Sequence, residues 1–201
     1  MKLHEATLQP TDLPEYLGRT SRPFHTGTFF IGQEQGRRAY IELRAKLLEV
    51  PEGFPLIIRI PINHLLDASY AGASLVILGK EMTEGKFGER GLILGGLNKD
   101  SLINLNAALC QRRVKIAFLT IDLLDRCGYT GQLAPYLEDT LKLVKRAGQL
   151  TVSELSKERQ LRTNAASNRL NRLHRLRLVR REEVTTPNGL AHVYHFWQWT
   201  K

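Results

Sequence analysis

Three asparagines, Asn164, Asn168 and Asn171, recur at spacings of four and three residues, with Arg172 and Arg175 beside them in the same rhythm. On a helix turning by about 100° per residue, Asn164, Asn168, Asn171 and Arg175 share one face, flanked by Ser167 and Arg172. An asparagine amide donates and accepts at once, which is what bidentate pairing to an adenine edge in the major groove requires. Arginine suits guanine or phosphate. Asparagine is a mediocre helix former, so three of them are not there to stabilise the helix. Thr163 is expected to cap its start, giving a nucleic-acid face of Thr163, Asn164, Ser167, Asn168, Asn171, Arg172 and Arg175.

Other chemistries find less support. The histidines, His4, His25, His64, His174, His192 and His195, pair with no cysteine or second histidine at helical ligand spacing. His192 and His195 lie three apart on an expected strand and so face opposite sides. No metal site is expected. Cys110 closes a helix ending in Gln111-Arg112-Arg113, a cationic setting for a thiol, but a buried structural cysteine is the commoner outcome and the expectation here. Gly27, Gly32 and Gly36 match neither the dinucleotide fingerprint nor the Gly-Lys-Ser/Thr loop and read as turn glycines. No Ser/His/Asp or Cys/His arrangement emerges locally, so the chain reads as a non-enzyme with no cofactor.

The elements around the asparagines follow from pattern. Pro135 opens a helix that Gly148 stops. Thr151-Val152-Ser153-Glu154 has the form of a capping box, opening a short helix that ends around Glu158–Gln160, with Leu161 as the buried residue of a turn. The next helix runs from Thr163 to about Leu176 and buries Ala166, Leu170 and Leu173. Leu178–Val184 then reads as a strand, Asn188-Gly189 as a tight turn, and Ala191–Trp199 as the returning strand. Arg180, Arg181 and Asn188 are the candidate backbone contacts from this hairpin.

Charge follows the same division. The chain has 201 residues, 29 Lys+Arg against 20 Asp+Glu, and a net charge of +9. Residues 134–201 hold 13 basic and 6 acidic side chains, a net of +7, whereas residues 1–133 hold 16 and 14. Eight arginines fall within the 23 residues from Arg159 to Arg181. A uniformly solvated surface intersperses both signs, so this concentration points to an acidic partner. With 42% hydrophobic and 24% charged residues, the composition excludes a disordered, collagenous or coiled-coil chain. Two cysteines suggest a reducing compartment, the start Met1-Lys2-Leu3-His4-Glu5 lacks a secretory pattern, and the longest apolar uncharged run, Ala68–Gly79, is 12 residues. The expectation is a cytoplasmic chain without membrane contact.

Upstream, Thr28–Ile31, Pro55–Ile62, Gly91–Leu97 and Lys115–Ile121 are strand-like. Arg38–Val50, Ser69–Met82 and Ser101–Arg112 are helix-like. Their alternation implies an α/β layer with a parallel or mixed sheet. The expected organisation is an N-terminal extension over 1–26, an α/β domain over 27–133 and a second domain over 134–201.

Two resemblances sharpen this. Leu150-Thr151-Val152-Ser153-Glu154-Leu155, Asn164–Leu173 and Leu178-Val179-Arg180-Arg181 resemble the core of bacterial winged helix-turn-helix transcription regulators. That family implies double-stranded DNA as partner, the third helix as reader and the hairpin as wing. A homodimer is expected because a single winged helix covers a short site and two-fold operators gain specificity. At Arg177 the family usually has the glycine that ends the recognition helix. Gly32–Ala39, Leu66–Ala73 and the Lys115–Asp122 strand resemble a STAS-like domain related to anti-sigma-factor antagonists. The resemblance implies a partner-binding loop at Asp67, Ser69 and Tyr70, with Ala68 where the family's phospho-accepting serine stands. On that alternative the chain is a protein-interaction adaptor whose DNA binding is secondary or absent.

Overall fold

The computed structural model describes residues 4–7, 29–61, 64–122, 124, 126–186 and 189–197. In chain order the elements are β1 (His4–Thr7), β2 (Phe29–Phe30), α1 (Gln33–Glu49), β3 (Pro55–Arg59), β4 (Leu65–Leu66), α2 (Ala68–Ala73), α3 (Leu75–Thr83), β5 (Gly91–Gly95), α4 (Lys99–Gln111), β6 (Ala117–Ile121) and β7 (Cys127–Gly131). There follow α5 (Pro135–Ala147), β8 (Gln149–Thr151), α6 (Val152–Glu158), α7 (Thr163–Arg175), β9 (Val179–Thr186) and β10 (Gly189–Phe196).

Strands β1-β3-β5-β6-β7 form a five-stranded sheet, parallel except for β7, which runs antiparallel to β6. Its central strands β3, β5 and β6 are apolar on both faces, the mark of a sheet covered on both sides. Leu56 and Ile58, Leu92 and Leu94, and Phe118 turn to a core completed by Leu43 and Leu47 of α1, Tyr70 of α2, Leu75 and Met82 of α3, and Leu105 and Leu109 of α4. Their alternate neighbours Ile57, Ile93, Leu119 and Ile121 turn the other way, because strand side chains point to opposite faces in succession. They join Leu137, Leu141 and Val144 of α5, Leu155 of α6, Leu170 and Leu173 of α7, Tyr194 and Phe196 of β10, and Trp197. The C-terminal elements are therefore the third layer over this sheet. Each buried isoleucine contributes about 1.5–3 kcal/mol to that union.

The C-terminal layer has its own antiparallel sheet, β8-β10-β9, with Thr151 opposite Val193 and Phe196 opposite Val179. The expected boundary near Ala134 coincides with the N-cap of α5. The chain on either side of it nevertheless shares one core.

Several expectations change. His4–Thr7, within the expected extension, is the sheet's edge strand beside β3. Gly36 is not a turn glycine: it lies buried in α1, where an added Cβ would meet the Tyr70 carbonyl at 2.7 Å. Gly32 does carry a left-handed φ of +87° at the α1 N-cap, and Gly27 lies outside the described residues. The helix expected over Ser69–Met82 breaks at Ser74, whose hydroxyl donates to the Tyr70 carbonyl at 2.7 Å and competes with the helical amide. Cys110, expected buried, is exposed on α4, because Leu105, Ala108 and Leu109 take the inward positions. Among the described residues no helix is long and apolar enough to cross a membrane.

Candidate nucleic-acid interface

Gly148 ends α5 with a φ of +78°, and Thr151 opens α6 with both halves of a capping box. Its hydroxyl accepts from the Glu154 amide at 3.2 Å, and the Glu154 carboxylate accepts from the Thr151 amide at 2.7 Å. The turn to α7 spans Arg159 to Arg162. Gln160 takes a left-handed φ of +49°, and the Leu161 carbonyl, on a half-buried residue, accepts from the Ser156 hydroxyl at 2.6 Å. Arg162, not Thr163, is the N-cap of α7; Thr163 is the first helical residue and makes no side-chain cap. The connection lacks a free extended position at Thr163 because Arg162 has already taken it.

Ala166, Leu170 and Leu173 are fully buried, as their spacing predicts. The opposite face exposes Asn164, Asn168, Arg172 and Arg175, with Thr163 exposed at its start and Ser167 half-buried at its side. α7 contains no acidic residue. Asn171 differs from its neighbours. Its carbonyl accepts from the Tyr194 hydroxyl at 2.8 Å and its amide donates to Ser167 at 3.2 Å, so it joins α7 to β10. Of the three asparagines expected on one open face, Asn164 and Asn168 are exposed and Asn171 is engaged within the fold. The hidden partner, Tyr194, is distant in sequence.

The arginines sort by partner. Arg159 holds Asp139 at 2.8 Å and Arg146 holds Glu158 at 3.1 Å, bracing α5 against α6. Arg180 pairs with Glu182 at 3.0 Å, and its side chain lies against Gly53 rather than toward the hairpin tip. Arg181 is exposed and hydrogen-bonds the Tyr194 hydroxyl. Asn188 lies outside the described residues. Arg162, Arg172 and Arg175 have no carboxylate partner among the described residues, and Arg169 sits over the half-exposed Tyr136 ring, 5.3 Å from its centroid. Arg162, Arg169 and Tyr136 lie outside the set expected from the helical rhythm. Only Tyr136 was outside the arginine run, and nothing in the sequence aligns it with α7.

The end of α7 is anchored to Glu89, before β5, and to Trp197, after β10. Arg177 adopts the left-handed φ of +58° expected of a glycine there. The Leu178 amide reaches the Leu173 carbonyl at 3.1 Å and the Arg177 amide the His174 carbonyl at 2.8 Å, closing a Schellman motif. The Arg177 carbonyl accepts from the Trp197 indole at 3.0 Å, and its guanidinium meets Glu89 at 3.1 Å. His174 Nε2 lies 2.5 Å from the same carboxylate. Burial pushes the His174 pKa below its usual value despite Glu89. Burial alone would raise Glu89, but the hydrogen bonds and charges of His174 and Arg177 reverse this and hold it low.

The loop before α2 uses its polar groups internally. One Asp67 oxygen accepts from the Tyr70 amide at 2.5 Å and the other from the Gly32 amide at 3.0 Å. Tyr70 is only 3% exposed, its ring 5.4 Å from that of Phe30. Of the three candidate partner-binding residues only Ser69 is exposed. No group of three or more His, Cys, Asp or Glu residues able to hold a metal occurs among the described residues. No protein-family model matches the chain, and no curated protein matches it either.

Proposed function

We propose that this chain is a sequence-specific regulator of transcription that binds double-stranded DNA through a winged helix-turn-helix formed by α5–β10. α7 enters the major groove with Asn164 and Asn168 on base edges and Arg172 and Arg175 on guanine or phosphate. The observation that carries this reading is the outer face of α7, where four polar or cationic side chains stand exposed beside Arg162. Arg169, Tyr136 and the wing's Arg181 supply backbone contacts around it. The α/β part, STAS-like in this reading, holds the reader through the shared core and serves dimerisation or sensing. A homodimer would present two readers to half-sites about 34 Å apart.

A duplex selected from a random pool tests the assignment by fluorescence anisotropy at two salt concentrations. Asn168→Ala should lose about tenfold in discrimination at one adenine position. Arg172→Ala should weaken related and unrelated duplexes alike and shallow the salt dependence. Selection that enriches no sequence, with both variants binding as the parent does, would remove the proposal. Light scattering that finds a monomer on and off DNA would remove the dimer.

A further inference from the structure

A slot of about 340 Å³ opens between the free edge of the main sheet and α5. Leu119, Leu141 and Phe196 form an apolar floor, and Cys127 and Tyr129 of β7 form a wall. The size and the predominance of apolar lining with few polar groups are those of a small-molecule site. Burial pushes the Cys127 thiol up to about 11, so it lines the slot as a neutral, apolar group.

The polar groups at the mouth are unequal. Lys142 is neutralised by Glu138 at 2.7 Å, and Glu138 also takes the Tyr129 hydroxyl. Lys145 donates to the Cys127 carbonyl at 2.7 Å and meets no carboxylate among the described residues. Among the described residues the slot therefore presents an apolar interior and one cation without a carboxylate partner. We propose that it binds an apolar monocarboxylate, its ring or chain in the slot and its carboxylate on Lys145. This goes beyond the DNA-binding reading and is tested without DNA.

The probes are 2-naphthoate and its uncharged counterpart 2-naphthamide, titrated calorimetrically into the full chain. Naphthoate should bind about fivefold tighter than the amide, the scale of one partly exposed ion pair. Lys145→Gln should reduce naphthoate to the amide's affinity, and Cys127→Trp, which fills the slot, should abolish both. In the unaltered protein at about pH 9.5, where enough of the raised thiol ionises to be alkylated, saturating naphthoate should slow iodoacetamide labelling of Cys127 while leaving the exposed Cys110 unchanged, a readout that survives if Cys127→Trp fails to fold. Absence of binding, a naphthoate preference retained in Lys145→Gln, or unprotected Cys127 at saturation would each overturn the proposal.

Discussion

At the start of α2 and on the outer face of α7 the chain displays similar groups, short polar side chains at helical positions, and uses them in opposite ways. Both oxygens of Asp67 are occupied by backbone amides, and Tyr70 is packed against Phe30. On α7, Asn164, Asn168, Arg172 and Arg175 point to solvent. Asn171, one turn from Asn168, belongs with Asp67: its amide is occupied by Tyr194 and Ser167. Residue type does not separate an exposed, unfilled polar group from a structural one. What separates them is whether the fold has already filled their hydrogen-bonding capacity.

Removing Asp67 should have the largest effect. Asp67→Ala leaves the Tyr70 and Gly32 amides without their charged acceptor, at a cost of about 2–3 kcal/mol, or roughly 5–10 °C in Tm for a chain of this size. DNA affinity of the folded protein should not change. An unaltered Tm with lost DNA binding would place the α2 loop with the binding groups. Next, Asn171→Ala removes the acceptor of the Tyr194 hydroxyl, which belongs to a fully buried residue and keeps only the exposed Arg181 as partner, and should cost about 1–2 kcal/mol by denaturant titration. Adding Tyr194→Phe should recover most of that loss, since both partners are then gone. Additive losses would mean that the pair does not act as a unit.

The sequence was most legible where local rules act alone. The Thr151 capping box, the Gly148 stop and the Ala166-Leu170-Leu173 stripe need only a few neighbours, and all three stand as their spacing implies. Strand β7, Cys-Gly-Tyr-Thr-Gly, was missed because two glycines erase its strand signal. It exists because β6 offers it an edge and Asn106 of α4 pins Thr130 and Gly131. Arg177 shows the same limit from the other direction. A left-handed arginine costs about 1–2 kcal/mol locally and is held there by Glu89 and Trp197, neither of which is near in sequence. The shared core was equally hidden, because the alternation of Ile57 with Leu56 and Ile58 says that both faces are covered but not by what.

The junction between α7 and the five-stranded sheet should respond to acid. His174 has a lowered pKa in the fold, so the unfolded chain binds more protons. Its contribution is complete above about pH 6.5 and is lost as pH falls through the folded value. Glu89, also lowered, adds a loss of the same sign further into acid. Tm should therefore fall by a few degrees between pH 7.5 and 5.0, and His174→Gln should flatten the upper part of that fall. An unchanged profile in the variant would remove His174 from the junction's pH response.

The smallest effect is expected where α2 is exposed. Ser69 is the second residue of α2, and it lines a shallow depression with Arg112. Ser69→Asp places a carboxylate in the helix's first turn, where it should stabilise by about 0.3–1 kcal/mol at low salt and less as salt is added. If the start of α2 is structural only, DNA affinity stays within twofold of the parent. A tenfold loss of DNA affinity at unchanged Tm would instead couple this surface to α7 through the sheet, and the contrast between the two helices would become a contrast between an input and an output.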